Sequence, residues 1–174
     1  PGHGESDVSR EAEGYTMERI MVDLHQLLDE HGVERADWVG YSMGARIALA
    51  AAVQAPKRIR RLVLESGSPG LRAEDARARR RRQDELLAQR IEKQGIESFV
   101  DYWMGQPLFA TQRRLPVAVL QDARRRRLRN DPVALARVLR GLGTGSQPSY
   151  WDALKKVKVP TLLVTGDLDT RYTG

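Results

Sequence analysis

The sequence predicts an α/β fold: a mostly parallel sheet flanked by helices, with a helical insertion between two of its strands. Three observations carry this. Short apolar runs suited to buried strands alternate with segments of helical periodicity, the pattern of a parallel sheet covered on both faces. Gly40-Tyr41-Ser42-Met43-Gly44 falls where one such run should turn sharply into a helix. A long stretch, residues 71–158, shows no strand signal before an apolar run returns.

Each element has its own signal. Pro1-Gly2-His3-Gly4-Glu5-Ser6 is rich in turn formers and reads as a loop. Met17, Ile20, Met21, Leu24, Leu27 and Leu28 recur at spacings of three and four, which predicts a helix over 17–30. Thr16 is placed to cap its start and His31-Gly32 to stop it. A short strand over 36–40 leads into the serine turn, and an apolar helix follows, ending near Ala55-Pro56. A second strand is expected at 61–65, closed by Ser66-Gly67-Ser68-Pro69-Gly70. The insertion is Arg-rich and interrupted at Gly105-Gln106-Pro107, at Asn130-Asp131-Pro132 and over 141–148. A last strand at 160–165 is closed by Gly166-Asp167-Leu168-Asp169. On this reading 1–70 form the first part of the core and 159–174 return to it. Residues 71–158 form a helical lid over the C-terminal strand ends, where ligands bind in such sheets.

Composition narrows the function. With 41% apolar and 30% charged residues the chain is expected to be soluble and globular. No apolar run could cross a bilayer, and no signal-peptide pattern is present, although the chain starts with Pro1. The lack of cysteine excludes disulfides and thiolate metal sites and fits a cytoplasmic protein. The net charge of +6 comes from arginine, concentrated in Arg77 and 79–82 and again in 124–127 and Arg129. Such runs could bind nucleic acid phosphates. The absence of interleaved aromatics and the nearby Asp75, Asp84, Glu85 and Asp122 favour solvated helix faces with ion pairs instead. Gly141-Leu142-Gly143-Thr144-Gly145 lacks the Lys-Ser/Thr ending of a phosphate loop and follows no strand, so a flexible turn is expected.

The Gly-x-Ser-x-Gly pattern between strand and helix suits a nucleophile elbow, with Ser42 on a strained turn and glycines that let strand and helix approach. The alternative is a plain glycine-bounded turn. A serine hydroxyl is a weak base or nucleophile without a histidine held by a carboxylate. Asp167 and Asp169 both follow a strand downstream of Ser42; either could instead cap a turn. His3, His25 and His31 all precede Ser42, so each is read as structural. Arg46 is the only charged residue between Trp38 and Pro56 and should be buried and paired, with a protein carboxylate or with an anionic ligand.

The elbow, the Pro-Gly-His-Gly-Glu-Ser loop, the mid-chain insertion and Gly166-Asp167-Leu168-Asp169 together resemble the α/β-hydrolase fold family. The resemblance runs the length of the chain, which matches the middle of that fold. It implies further strands before the first loop, and a further strand and histidine-bearing loop beyond Gly174. Three segments are similar to one branch of the family, the synthases that make 2-succinyl-6-hydroxycyclohexadiene carboxylate in menaquinone biosynthesis. They are Gly40-Tyr41-Ser42-Met43-Gly44-Ala45-Arg46, the run from Leu139 through Gln147-Pro148 to Trp151, and Tyr102-Trp103-Met104-Gly105-Gln106-Pro107-Leu108-Phe109.

The resemblance implies Ser42 and Asp169 as two members of a serine, acid, histidine triad. It implies the Met43 amide as one oxyanion donor, and Arg46, Tyr41, Arg80, Trp103 and Arg127 as substrate contacts. Solvated helix faces remain the alternative for Arg80 and Arg127, and core packing for Tyr41 and Trp103. The implied reaction eliminates pyruvate from a small polycarboxylate, with no cofactor, metal, nucleic acid or membrane. An ester or carbon–carbon bond hydrolase, or a catalytically silent binding domain, are the other readings. The stretch 1–174 alone is expected to be inactive and to expose an unpaired sheet edge.

Overall fold

The computed structural model describes residues 1–9 and 11–169. After an N-terminal loop and a single 3₁₀ turn, α1 runs Met17–Glu30 with the Thr16 hydroxyl accepting from the Arg19 amide. The strand β1 (Ala36–Tyr41) turns at Ser42 into α2 (Met43–Gln54), and β2 follows at Ile59–Glu65. The insertion holds α3 (Glu74–Met104), a 3₁₀ segment, α4 (Val117–Leu128) and α5 (Pro132–Leu142). β3 (Thr161–Val164) closes the described fold. The three strands are parallel in the order β1-β2-β3.

The predicted elements are all present, and the breaks at Gly105, Asn130 and 141–148 end α3, α4 and α5. One break escaped the sequence reading. Gly95, at φ 78° and ψ 179°, interrupts α3 and divides it into two helical pieces. The 141–148 segment is also not the flexible turn expected. A Cβ on Gly141 would lie 2.2 Å from the Tyr15 carbonyl oxygen, one on Gly143 2.5 Å from Asp84 Oδ2, and one on Gly145 2.5 Å from the Arg81 amide nitrogen. The glycines are there because two other segments, the 3₁₀ turn at Tyr15 and α3, press against this one.

The core lies between the sheet and α1 and α2. Ala48, Leu49, Ala50, Ala51 and Ala52 of α2 meet Ile59, Leu62 and Leu64 of β2 and Met17, Ile20 and Met21 of α1. Alanines bring the helix axis close to the strands, and density of packing rather than side-chain bulk stabilises the contact. Among the described residues β1 and β3 form the sheet edges. Val39 is 76% and Leu163 70% exposed. Among the described residues no helix is long and apolar enough to cross a membrane.

Candidate active site

Ser42 stands at φ 51° and ψ −110°, one of two non-glycine residues with positive φ among those described. A β-carbon in that region costs on the order of 1–3 kcal/mol and persists only where surrounding structure enforces it. The enforcement is visible. The Ser42 amide donates to the Glu65 carbonyl on β2 at 2.8 Å, and its own carbonyl accepts from the Arg46 amide at 3.2 Å. A Cβ on Gly40 would lie 2.3 Å from the Gly44 carbonyl oxygen, so only glycine fits there. Gly44 needs no such explanation, since a Cβ there meets nothing within 4 Å. Although Ser42 occupies the cap position of α2, its side chain makes no capping hydrogen bond. Ordinary serine caps fold the hydroxyl back onto the helix. This one is exposed and turned away from that task.

The tips of the three strands are laced together. The Ser42 amide reaches Glu65 at the end of β2, and the Ser66 amide reaches the Val164 carbonyl at the end of β3 at 2.9 Å. Asp169 closes the turn after β3, its amide donating to the Gly166 carbonyl at 2.9 Å. Ser42 and Asp169 thus both follow the C-terminal edge of the sheet, on its first and third strands. Met43 opens α2, so its amide is among the first N–H groups of a helix, where backbone donors lack intrahelical partners.

One turn below Ser42, Arg46 is half-buried rather than buried as expected. Its Nη1 donates to the Leu142 carbonyl at 2.8 Å and to Gln147 Oε1 at 2.9 Å. Both are neutral acceptors, a kind of partner the sequence reading did not consider. Arg46 lines a cavity of about 500 Å³ with Ser68, Gly70, Leu71, Arg72, Thr144 and Trp151. The Arg72 guanidinium lies 5.2 Å from the Trp151 ring centroid, and Trp151 Nε1 donates to the Gly70 carbonyl at 2.8 Å. The cavity therefore has two arginines and an indole in its wall. Arg72, Thr144 and Trp151 were not singled out from the sequence. The signal available was that Thr144 and Trp151 belong to the 139–151 segment already noted as distinctive.

Arg46 apart, none of the candidates, Ser42, Met43 and Asp169 included, is among the described residues that line this cavity. Arg80 Nε donates to Asp84 Oδ1 at 2.8 Å, and Asp84 is buried. Arg127 Nη1 donates to the Ala123 carbonyl within α4 at 3.0 Å. Trp103 stacks between Phe99 and Phe109, each ring centroid 5.7 Å away. Tyr41 is 61% exposed at the end of β1. The arginine runs carry local ion pairs: Arg77 with Glu74, Arg79 with Asp75, and both Arg125 and Arg126 with Asp122. That is the solvated-face pattern. His31 Nδ1 meets the Leu27 carbonyl at 2.9 Å at the end of α1, a structural role. No cluster of three or more potential metal ligands occurs among the described residues.

Comparison with known proteins agrees with this fold. A Bacillus subtilis protein provisionally assigned as a 2-succinyl-6-hydroxy-2,4-cyclohexadiene-1-carboxylate synthase is 40% identical over 98% of the chain. The Yersinia pestis synthase of that name is 32% identical over 99% of it. The chain spans 62% and 61% of the lengths of those two relatives. The solved structure of MenH from S. aureus superposes with a TM-score of 0.93 at 39% identity, covering 99% of this chain and 64% of that one. The sequence profile described as the alpha/beta hydrolase fold matches residues 1–170. The chain therefore belongs to the α/β-hydrolase fold family.

Proposed function

We propose that the protein eliminates pyruvate from a succinyl-enolpyruvyl-cyclohexene carboxylate, a lyase step of menaquinone biosynthesis carried out in the cytoplasm. The observation that carries this reading is the strained, non-capping Ser42 one helical turn before Arg46, and it is Arg46 that lines the cavity. A hydroxyl freed from capping can take part in proton transfer, and a guanidinium in a cavity wall suits a carboxylate. The relatives' names supply the substrate class.

In the proposed step Ser42 removes a ring proton, passing its own to a histidine contributed by chain outside residues 1–174. Asp169 orients that histidine. The carbon–oxygen bond to the enolpyruvyl group breaks, and pyruvate leaves after taking up a proton. Charge gathered on a carbonyl oxygen is held by the Met43 amide and a second donor. Arg46 anchors a carboxylate. Arg80, Trp103 and Arg127 are secondary candidates whose contacts here are local.

The test assays the complete gene product for pyruvate release and for p-nitrophenyl ester cleavage. Pyruvate release that falls by about 10³-fold or more in Ser42→Ala is expected. Ester turnover without pyruvate release would retire the lyase step in favour of a hydrolase on the same scaffold.

A further inference from the structure

Gln147 is 1% exposed, and among the described residues the only other buried polar or charged side chain is Asp84. A buried amide must use its donor and its acceptor, because each unmet group costs stability. Both are used. Oε1 accepts from Arg46 Nη1 at 2.9 Å, and Nε2 donates to the Ser68 carbonyl at 3.3 Å. These two contacts fix the amide's orientation, since the reverse would set donor against donor at Arg46 and oxygen against oxygen at Ser68. The residue is also held from behind. Its backbone amide donates to the Gly143 carbonyl at 3.0 Å. Gly70 leaves just enough room, because a Cβ there would lie 3.1 Å from Gln147 Nε2.

The second acceptor on Arg46 Nη1, the Leu142 carbonyl, ends α5. Together the two acceptors occupy both N–H bonds of that nitrogen, and a planar guanidinium with one nitrogen pinned twice has its plane set.

We propose that Gln147 is the positioning residue of Arg46. An amide orients the guanidinium without itself adding a negative charge. A carboxylate in the same place would compete with an anionic substrate. Gln147 also joins Arg46 to Ser68, another wall of that cavity, so the α2 helix and the loop after β2 are set by one side chain. This inference rests on the proposed role of Arg46 toward an anionic substrate.

The test is a double-mutant cycle in the complete gene product, reading KM for pyruvate release, with thermal unfolding followed in parallel. Gln147→Met keeps the length and removes both polar contacts. It should raise KM about tenfold, the scale of one charge-assisted hydrogen bond, and leave kcat less affected. In an Arg46→Ala background the same change should leave KM within about twofold, because it acts through Arg46. A purely structural role would lower Tm and KM performance alike in both backgrounds. Gln147→Glu should raise KM for the polycarboxylate while p-nitrophenyl acetate cleavage changes little. If Arg46→Ala leaves KM unchanged, the proposed site reading fails. If Arg46→Ala raises KM but the Gln147 effects add fully on top of it, the positioning role alone fails.

Discussion

The two ends of the helical insertion are built differently. At its neck, residues 141–151 lie on 68–72, and three donors take three successive carbonyls: Gln147 Nε2 takes Ser68, the Tyr150 amide takes Pro69 at 2.7 Å, and Trp151 Nε1 takes Gly70. Gly143, Gly145, Gln147 and Tyr150 are buried there. Beyond Gly95 the insertion has little of this. The 3₁₀ segment and α4 contribute no buried residue, and Leu108, Leu115, Val117 and Val119 are exposed. The outer arm is held by the Trp103 stack and by pairs such as Arg124 with Asp101. Regions with few buried apolar contacts open at lower free energy than packed ones. The neck, which carries the Arg46 contacts, is therefore the firm end of the insertion, and the outer arm with Trp103 and Arg127 the looser one.

This contrast can be broken at its strong end first. Gly141→Ala would drive a methyl group into the Tyr15 backbone, which cannot move aside as a flexible side chain could. A loss of about 1–3 kcal/mol is expected, seen as a drop in Tm of several degrees. A tolerated alanine would mean the neck is looser than its contacts suggest.

The seam between α3 and α5 comes next. Arg140 pairs with both Glu85 and Glu92 and holds their carboxyls below the usual glutamate range by hydrogen bonding and charge. A carboxyl depressed on folding contributes stability above its unfolded pKa, near 4.3, and that stability is lost as pH falls through the folded value. All three side chains are about a third or more exposed, so screening keeps the effect to roughly 1 kcal/mol or less. The drop in urea midpoint from pH 7 to pH 3 should be smaller in Arg140→Met than in the unaltered protein. Equal drops would remove this pair from the seam.

The weak end gives the smallest effect. Val119→Ser on α4 should change unfolding free energy by no more than about 0.5 kcal/mol. A loss of several times that would show the arm packed against something that covers it.

How much of this could be read in advance depended on the range of the interaction. The helix over 17–30, the three strands and the serine turn were legible because periodicity, capping and turn chemistry are local. The Gly95 break was not, because a single glycine within a polar, helix-favouring run gives no clear stop. Ser42 was legible as a type in a context, and its strain is the local consequence of joining that strand to that helix.

The sequence by itself determined the parallel α/β plan, the elbow and the presence of a cation one turn after the serine, since each follows from neighbours a few residues apart. Only the tertiary structure decided what Arg46 touches. Two of its partners, Leu142 and Gln147, are about a hundred residues away in the chain. Hydrogen-bond partners at that separation are chosen by how the insertion packs back on the core, and no local pattern records that choice.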